Sequence, residues 1–479
     1  MTTQFLHGVK VYEKNDGSRP IRYSNISTIG LIGTAPDANE LEWPLNEPVL
    51  LLGPERKKLQ ALCKNGTLPD ALDGIFDQIG ARVIVVRVEE GSSLNQTISN
   101  VIGDRADSTG IHAFELAKPE HNEIPRILIA PGFTSIRPTG VLSIDLSDAG
   151  SNYTTAPTVT ISGGGGQGAE AEATIVNNKI HSIKVTRFGF GYLAAPTVTI
   201  SGGGGTGALA TANIAACANP VVAEMLGYAE RFRGVIIADG PNTNRSAALQ
   251  YRQDWGSARV YVVDPGILVW DTELSMPVVQ PSSDRVAGLI AKMDQENGPW
   301  WSPSNKILNG VIGIARPISF GISDFNSEAN YLNENEVATV IREEGYRLWG
   351  NKTCSSDPLW KFLSVRRTHD LINDSVENAY LWALDRPFSV QLLVDVADSL
   401  MAFLRVLQAR GATLGYKVWL DPKLNTKETM MDGKFWVDFD AEAPAPLENL
   451  NFTAHRNNKY YETLFKDAQK AIAANNNAA

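Results

Sequence analysis

The phrase Ala-Pro-Thr-Val-Thr-Ile-Ser-Gly-Gly-Gly-Gly occurs twice in this chain, at 156–166 and again at 195–205. Tyr153 and Tyr192, Pro157 and Pro196, and Gly163 and Gly202 are all 39 residues apart, and Ile144, Leu146 and Gly150 keep the same spacing from Ile183, Val185 and Gly189. Two units, about 140–178 and 179–217, therefore repeat one supersecondary element. Within each, Ser143–Ser147 and Thr158–Ser162 alternate polar with β-branched or apolar residues, the period of a half-buried strand. The string Gly163–Gly168 fits G-x-G-x-x-G, but about ten strand-like residues follow it where a dinucleotide fold needs a crossover helix. No acid stands near Phe188 to hold a ribose, and Ala169 and Ala208 occupy the Walker lysine position. The glycines read as turns between short strands.

The flanks say what the repeats interrupt. Before them, Pro125–Gly132 is a buried-strand run ending in a turn; after them, Asn219-Pro220 opens a helical pattern as N-cap and first helical residue. Removing 134–218 joins strand, turn and helix directly, the mark of a small β domain inserted in a surface loop. Outside it, Ile29–Ile32, Val83–Val86, Ile127–Ile129, Val235–Ala238 and Val260–Val263 read as buried strands alternating with helical patterns, which implies a largely parallel, covered sheet. Phe388–Arg410 places Leu392, Val396, Leu400, Phe403 and Leu407 on one helix face and stops at Gly411. The expected fold class is α/β and α+β multidomain, with a largely parallel α/β sheet region, a C-terminal α+β assembly domain and the inserted all-β repeat domain. The expected boundaries are 1–22, an N-terminal arm; 23–133 plus 219–304, the α/β domain; 134–218, the insertion; 305–433, the α+β core domain; 434–456, a C-terminal arm; and 457–479, a terminal helix and tail.

Chemistry has little to stand on. Cys63, Cys217 and Cys354 have no zinc or disulfide spacing, and the six histidines make no H-E-x-x-H or H-x-E pattern. No serine lies in G-x-S-x-G, His369 reads as a helix-surface residue, and Asp239 and Asp264 precede Gly-Pro and Pro-Gly and read as turn formers. A net charge of −10 without a basic stripe argues against coating nucleic acid. No apolar run is long enough to span a bilayer, and the opening MTTQFLHGVKVYEKNDG lacks the basic start and apolar core expected of a signal peptide. No catalytic residue, cofactor or metal is expected.

The ends carry more. Gly8–Glu13 alternates cleanly around Val9 and Val11, with Tyr12 on the other face, and a long polar segment follows. Phe435–Asp440 alternates too, through Trp436, Val437 and Phe439, and then runs into the proline-stiffened Ala441–Glu448. A strand on an arm must pair with an edge, and its own domain serves as well as a neighbouring copy. After residue 455, Arg456, Lys459, Lys466 and Lys470 outnumber Glu462 and Asp467, while Tyr460, Leu464 and Phe465 have helical spacing.

The chain resembles contractile-tail sheath proteins of myophages and the related R-type bacteriocins. The likeness rests on FLHGVKVYEKNDGSRPI at the start, on STIGLIGTAPDA with PLNEPVLL, and on VIVVRVEEG at 83–91. It continues in AKMDQENGPWWSPSNKILNGVIGI, in LNENEVATVIREEGYRLWGNKTCSSDP and in DFDAEAPAPLENL. It covers essentially everything outside 134–218, where the chain departs from the family pattern. The resemblance implies a structural subunit that stacks around an inner tail tube and contracts to drive it through the bacterial envelope. Its implied partners are itself, the tube, baseplate and terminator proteins, without nucleic acid or membrane insertion. Its implied location is the virion tail, assembled in the host bacterial cytoplasm. It implies strand-adding arms carrying Val9, Val11, Tyr12, Trp436, Val437 and Phe439. It also implies a terminal helix facing the tube with Arg456, Lys459, Lys466 and Lys470; a plain solvated helix is the alternative. Tyr153, Phe188, Phe190 and Tyr192 are either core residues of the insertion or a sugar platform. The competing classes are a nucleotide-using α/β enzyme and a virion adhesin with a glycan-binding insertion.

Overall fold

A computed structural model describes residues 20–476. The chain divides into two units, one running through Ala445 and one from Pro446 onward.

The first unit is built on a nine-stranded sheet. Its parallel centre runs β3 (Val83–Val88), β1 (Ile29–Thr34), β4 (Ile127–Ile129), β11 (Val235–Asp239), β12 (Val260–Val263) and β17 (Val337–Arg342). Antiparallel strands finish both sides: β2 (Pro48–Leu51) beyond β3, and β18 (Tyr346–Trp349) with β15 (Lys306–Ile307) beyond β17. Because successive side chains alternate, Leu31, Val85, Ile129, Ile237 and Tyr261 fill one core while Ile32, Ile84, Leu128, Ile236 and Val262 fill the other. Numbering only helices of nine residues or more, α1 (Leu68–Phe76) and α5 (Ser283–Glu296) cover the first face. The second is covered by α2 (Leu94–Ile102), α3 (Pro220–Phe232) and α4 (Arg245–Gln253). The sheet runs past residue 304, since β15, β17 and β18 belong to it. The expected break at 304/305 is therefore not a sheet boundary, because Val337 and Ala338 take the parallel register beside Val262 and Val263.

Asn219 caps α3: its Oδ1 accepts from the amides of Val221 and Val222 at 2.9 and 3.1 Å, and its Nδ2 donates to the carbonyls of Phe133 and Ile136. One side chain thus ties the residues before the repeats to those after them. Between them lie β5 (Thr139–Ser151), β6 (Thr158–Ser162), β7 (Gln167–Val176), β8 (Lys179–Phe190), β9 (Thr197–Ser201) and β10 (Thr206–Ala216), an antiparallel sheet in the order β5-β10-β9-β6-β7-β8. Thr160 stands opposite Thr199, its own counterpart one repeat later. The two repeats are therefore related by a pseudo-twofold axis through the central β6–β9 pair. Each Tyr loop packs on the other repeat's glycine turn: a Cβ on Gly166 would lie 2.4 Å from Tyr192, and one on Gly205 would lie 2.4 Å from Tyr153. Tyr153 and Tyr192 are buried, while Phe190 leaves this core to join that of the parallel sheet.

Two smaller sheets complete the first unit. β13 (Ile267–Asp271) pairs with β14 (Met276–Gln280) and β16 (Gly313–Ile314). β19 (Gly415–Trp419) pairs with β20 (Asp438–Glu442). The β19–β20 pair packs with α6 (Leu363–Ala379) and α7 (Val390–Ala409) around Leu371, Ile372, Leu400, Phe403, Leu404 and Leu407. Ser389 caps α7 by accepting from the Leu392 amide, and Gly411 follows its end at φ +76°.

Candidate assembly surfaces

The β19–β20 sheet is built from alternation. Tyr416, Val418, Val437, Phe439 and Ala441 turn to the α6–α7 core. On the other face the register sets Lys417 opposite Asp440, Trp419 opposite Asp438 and Gly415 opposite Glu442. Trp436 is half-buried, its amide donating to Asn425 Oδ1 and its carbonyl accepting from Asn425 Nδ2, both at 2.9 Å. Of the expected arm 434–456, then, residues 438–442 pair inside the chain. Among the described residues, both β19 and β20 keep one edge unpaired.

The second unit is an extended run followed by α8 (Tyr460–Asn476). Leu447, Leu450 and Phe452 are 63–86 % exposed. In α8, Tyr461, Leu464, Phe465 and Ile472 share one exposed apolar face, while Lys466 and Lys470 stand on the opposite one. Arg456 and Lys459 precede the helix and are also exposed. Val9, Val11 and Tyr12 lie outside the described residues.

Helix α6, on which the β19–β20 platform packs, is tied to the parallel-sheet region by buried ion pairs. Helix α6 presents Asp370 to Arg259 through two hydrogen bonds of 3.0 and 3.2 Å, and Asp374 to Arg126 at 2.5 Å and to Arg233 at 2.7 Å. In return Arg367 takes both oxygens of Asp294 at 2.6 Å and the Ile26 carbonyl at 2.9 Å. Arg259, Arg126, Arg367, Asp370 and Asp374 are all buried. Such pairs fix register more than they add stability, since each charge gives up its hydration. Arg367 thereby anchors the irregular segment 23–27, which lines a groove of about 480 Å³ together with Trp300 and Arg410.

The sites weighed for catalysis have structural occupations. Asp239, its carboxyl raised by burial, accepts from the Ser282 and Ser283 amides at 2.8 and 2.9 Å and from the Ser283 hydroxyl at 2.6 Å, capping α5 from a distant strand end rather than forming a turn. Asp264 takes Arg316 at 2.7 Å and the Asn242 amide at 2.7 Å. His369 is not a surface residue: it is half-buried edge-on to Trp360, and burial with the nearby Arg366 charge lowers its pKa. Among the described residues no acidic, His or Cys cluster fits a metal, and no helix is long and apolar enough to cross a membrane. Sequence reasoning missed a further exposed apolar face, Trp270 and Val279 with Pro277 between them, where opposed positions of β13 and β14 share one side. The signal was a strand pair with apolar residues at both alternations.

Comparison with known proteins places the chain in a family. Residues 207–354 match the phage tail sheath protein central domain, and residues 355–456 match the phage tail sheath C-terminal domain. A putative prophage major tail sheath protein of Pseudomonas aeruginosa (strain UCBPP-PA14) is 31 % identical over 451 residues, 94 % of this chain and 95 % of that one. The chain belongs to the phage tail sheath family. The tail sheath protein of Escherichia phage P2 is 29 % identical over 471 residues, 96 % of this chain and 98 % of its own length. In fold, this sheath chain is similar to the helical sheath of the anti-feeding prophage in its contracted state, with a TM-score of 0.59 at 17 % identity over 95 % of this chain and 100 % of that one. It is similar also to the contracted sheath complex of the extracellular contractile injection system PVC, with a TM-score of 0.57 at 15 % identity over 96 % and 100 % of the two chains.

Proposed function

We propose that this chain is the structural subunit of a contractile tail sheath, polymerising around an inner tail tube and shortening to drive that tube through a bacterial envelope. The observation that carries the reading is the end-to-end likeness to a tail sheath protein, 94 % of one chain on 95 % of the other. A helical homopolymer needs two different surfaces on each subunit, so that head-to-tail contact never closes. The edges of β19 and β20, unpaired among the described residues, and the extended 447–455 run are two such surfaces, sheet edge and strand. Residues 1–22 and 446–456 act as arms that add strands to neighbouring copies, since main-chain hydrogen bonds survive rotation of the attached bodies when the linkers bend. The work of contraction comes from subunit contacts that differ between two lattices, a few kcal/mol per subunit summed over many, with no cofactor and no turnover.

Its partners are other copies of itself, the tube, the baseplate and a terminator, in the virion tail after assembly in the host bacterial cytoplasm. The basic face of α8 with Arg456 and Lys459 is directed at the tube. Residues 134–218 form an inserted β domain between the two parts of the α/β domain, 23–133 and the chain from 219 through β18, and it braces rather than dangles. Supporting that, Phe190 enters the parallel-sheet core and Arg187 pairs with Glu224 of α3.

Deleting 446–479 tests the arms. The truncated subunit is expected to keep its circular dichroism and melting profile apart from the lost helix, yet to form no long tubes under the electron microscope. Tubes of normal length from that variant would refute the reading.

A further inference from the structure

The nine-stranded sheet ends on one side at β2, which among the described residues pairs with β3 alone. A strand with one neighbour turns the N–H and C=O of every second residue outward, and such groups are a template for another chain. In β2 these belong to Pro48, Leu50 and, just past its end, Leu52. Most are already engaged. The Pro48 carbonyl accepts from His121 Nε2 at 2.7 Å, the Leu50 carbonyl accepts from Lys58 Nζ at 3.0 Å, and the Leu52 amide donates to Glu55 Oε1 at 3.0 Å. Pro48 itself has no N–H to offer. Between the Pro48 carbonyl and the Leu52 amide, the Leu50 N–H alone is left without a partner among the described residues.

The three side chains come from two short helices beside the edge: Lys58 lies in Arg56–Ala61, Glu55 is the residue that precedes it, and His121 closes Ala117–His121. Lys58 Nζ also lies 3.2 Å from Glu55 Oε2, so the cation covering one main-chain group is held by the anion covering the next. The Leu52 amide, and then Lys58, hold the Glu55 carboxyl below its usual range. On its far side the same sheet ends in β15, two residues long, which offers too little edge to pair. An open β2 would find its match in β2 of a second copy, because identical edges pair antiparallel about a twofold axis, and that contact closes a dimer instead of continuing a lattice. We propose that Glu55, Lys58 and His121, with Pro48, shut the β2 edge against pairing with β2 of a second copy. These contacts lie within one chain and do not depend on where arms bind; on the arm reading above, they leave strand addition to other edges.

Sedimentation velocity of the full-length chain, at concentrations too low for tubes, tests this. Pro48→Val with Lys58→Met and His121→Ala restores the missing N–H and frees both carbonyls. That variant is expected to keep the parent's circular dichroism and to self-associate roughly tenfold more tightly, through the main-chain bonds made available. Adding Leu52→Lys, at a position 64 % exposed, sets like charges together across the new contact and should bring association back to within about twofold of the parent. Should the triple variant lose its fold, Lys58→Met alone carries the test, with association expected about threefold above that of Lys57→Met, which removes an exposed lysine paired with Glu42 instead. No rise in the triple variant, or in Lys58→Met where the triple variant does not fold, overturns the proposal. So does association that Leu52→Lys leaves unchanged, since the contact would then lie elsewhere. Tube formation enters none of these readouts, so their failure is distinct from failure of the sheath reading.

Discussion

Gly166 and Asp284 show how far single residues are specified by what touches them. A methyl on Gly166 would sit 2.4 Å from the Tyr192 ring, so Gly166→Ala should cost about 1–3 kcal/mol. Gly227, in the exposed interior of α3, has nothing within 4 Å of its Cβ position, so Gly227→Ala should stabilise by about 0.5–1 kcal/mol. Thermal melts of the two variants should move in opposite directions. Burial pushes the Asp284 carboxyl up to about 7, partly opposed by Arg285, whereas in the unfolded chain it titrates near 4. Between those values the folded chain keeps a proton that the unfolded chain has lost. Its contribution to stability therefore falls as pH rises from about 4 to about 7 and is level above that. Asp284→Asn should flatten that fall, and denaturation midpoints at pH 5 and pH 7.5 for both proteins read it directly.

Among elements, helix α6 is the one whose position depends on charge. Asp370→Ala leaves the buried Arg259 and the half-buried Arg366 without their shared carboxylate and should cost about 3–5 kcal/mol. Lys57→Ala, breaking an exposed pair with Glu42, should cost under about 1 kcal/mol. Urea unfolding of both variants checks the contrast. The seam also marks where sequence reading stopped. The parallel strands were legible because four to six apolar residues in a row are a local signal, and α7 because its face repeats over five turns. Asp239 and Asp370 were not, since their partners lie far away in sequence and an isolated acid looks the same whether it caps a helix, closes a turn or faces water. Residues 438–442 misled for a related reason. Alternation identifies a strand but not the edge it joins, and here Val418 lies within reach in the same chain.

At the scale of the whole molecule, the duplicated phrase and the family likeness were the legible parts. Repetition gave the insertion's two halves, while the axis through Thr160 and Thr199 required coordinates, because a 39-residue offset is equally compatible with side-by-side and twofold packing. Exposed apolar residues lie on β13–β14, on the leading turns of α7 and along α8, and apolar patches of this kind mark interaction surfaces. The most direct test of the sheath reading is electron microscopy of the purified full-length chain across protein concentration and salt, with and without the proposed inner tube protein. Hollow helical tubes built from this chain are the predicted result. Dispersed particles under every condition, with tube protein present, would contradict it.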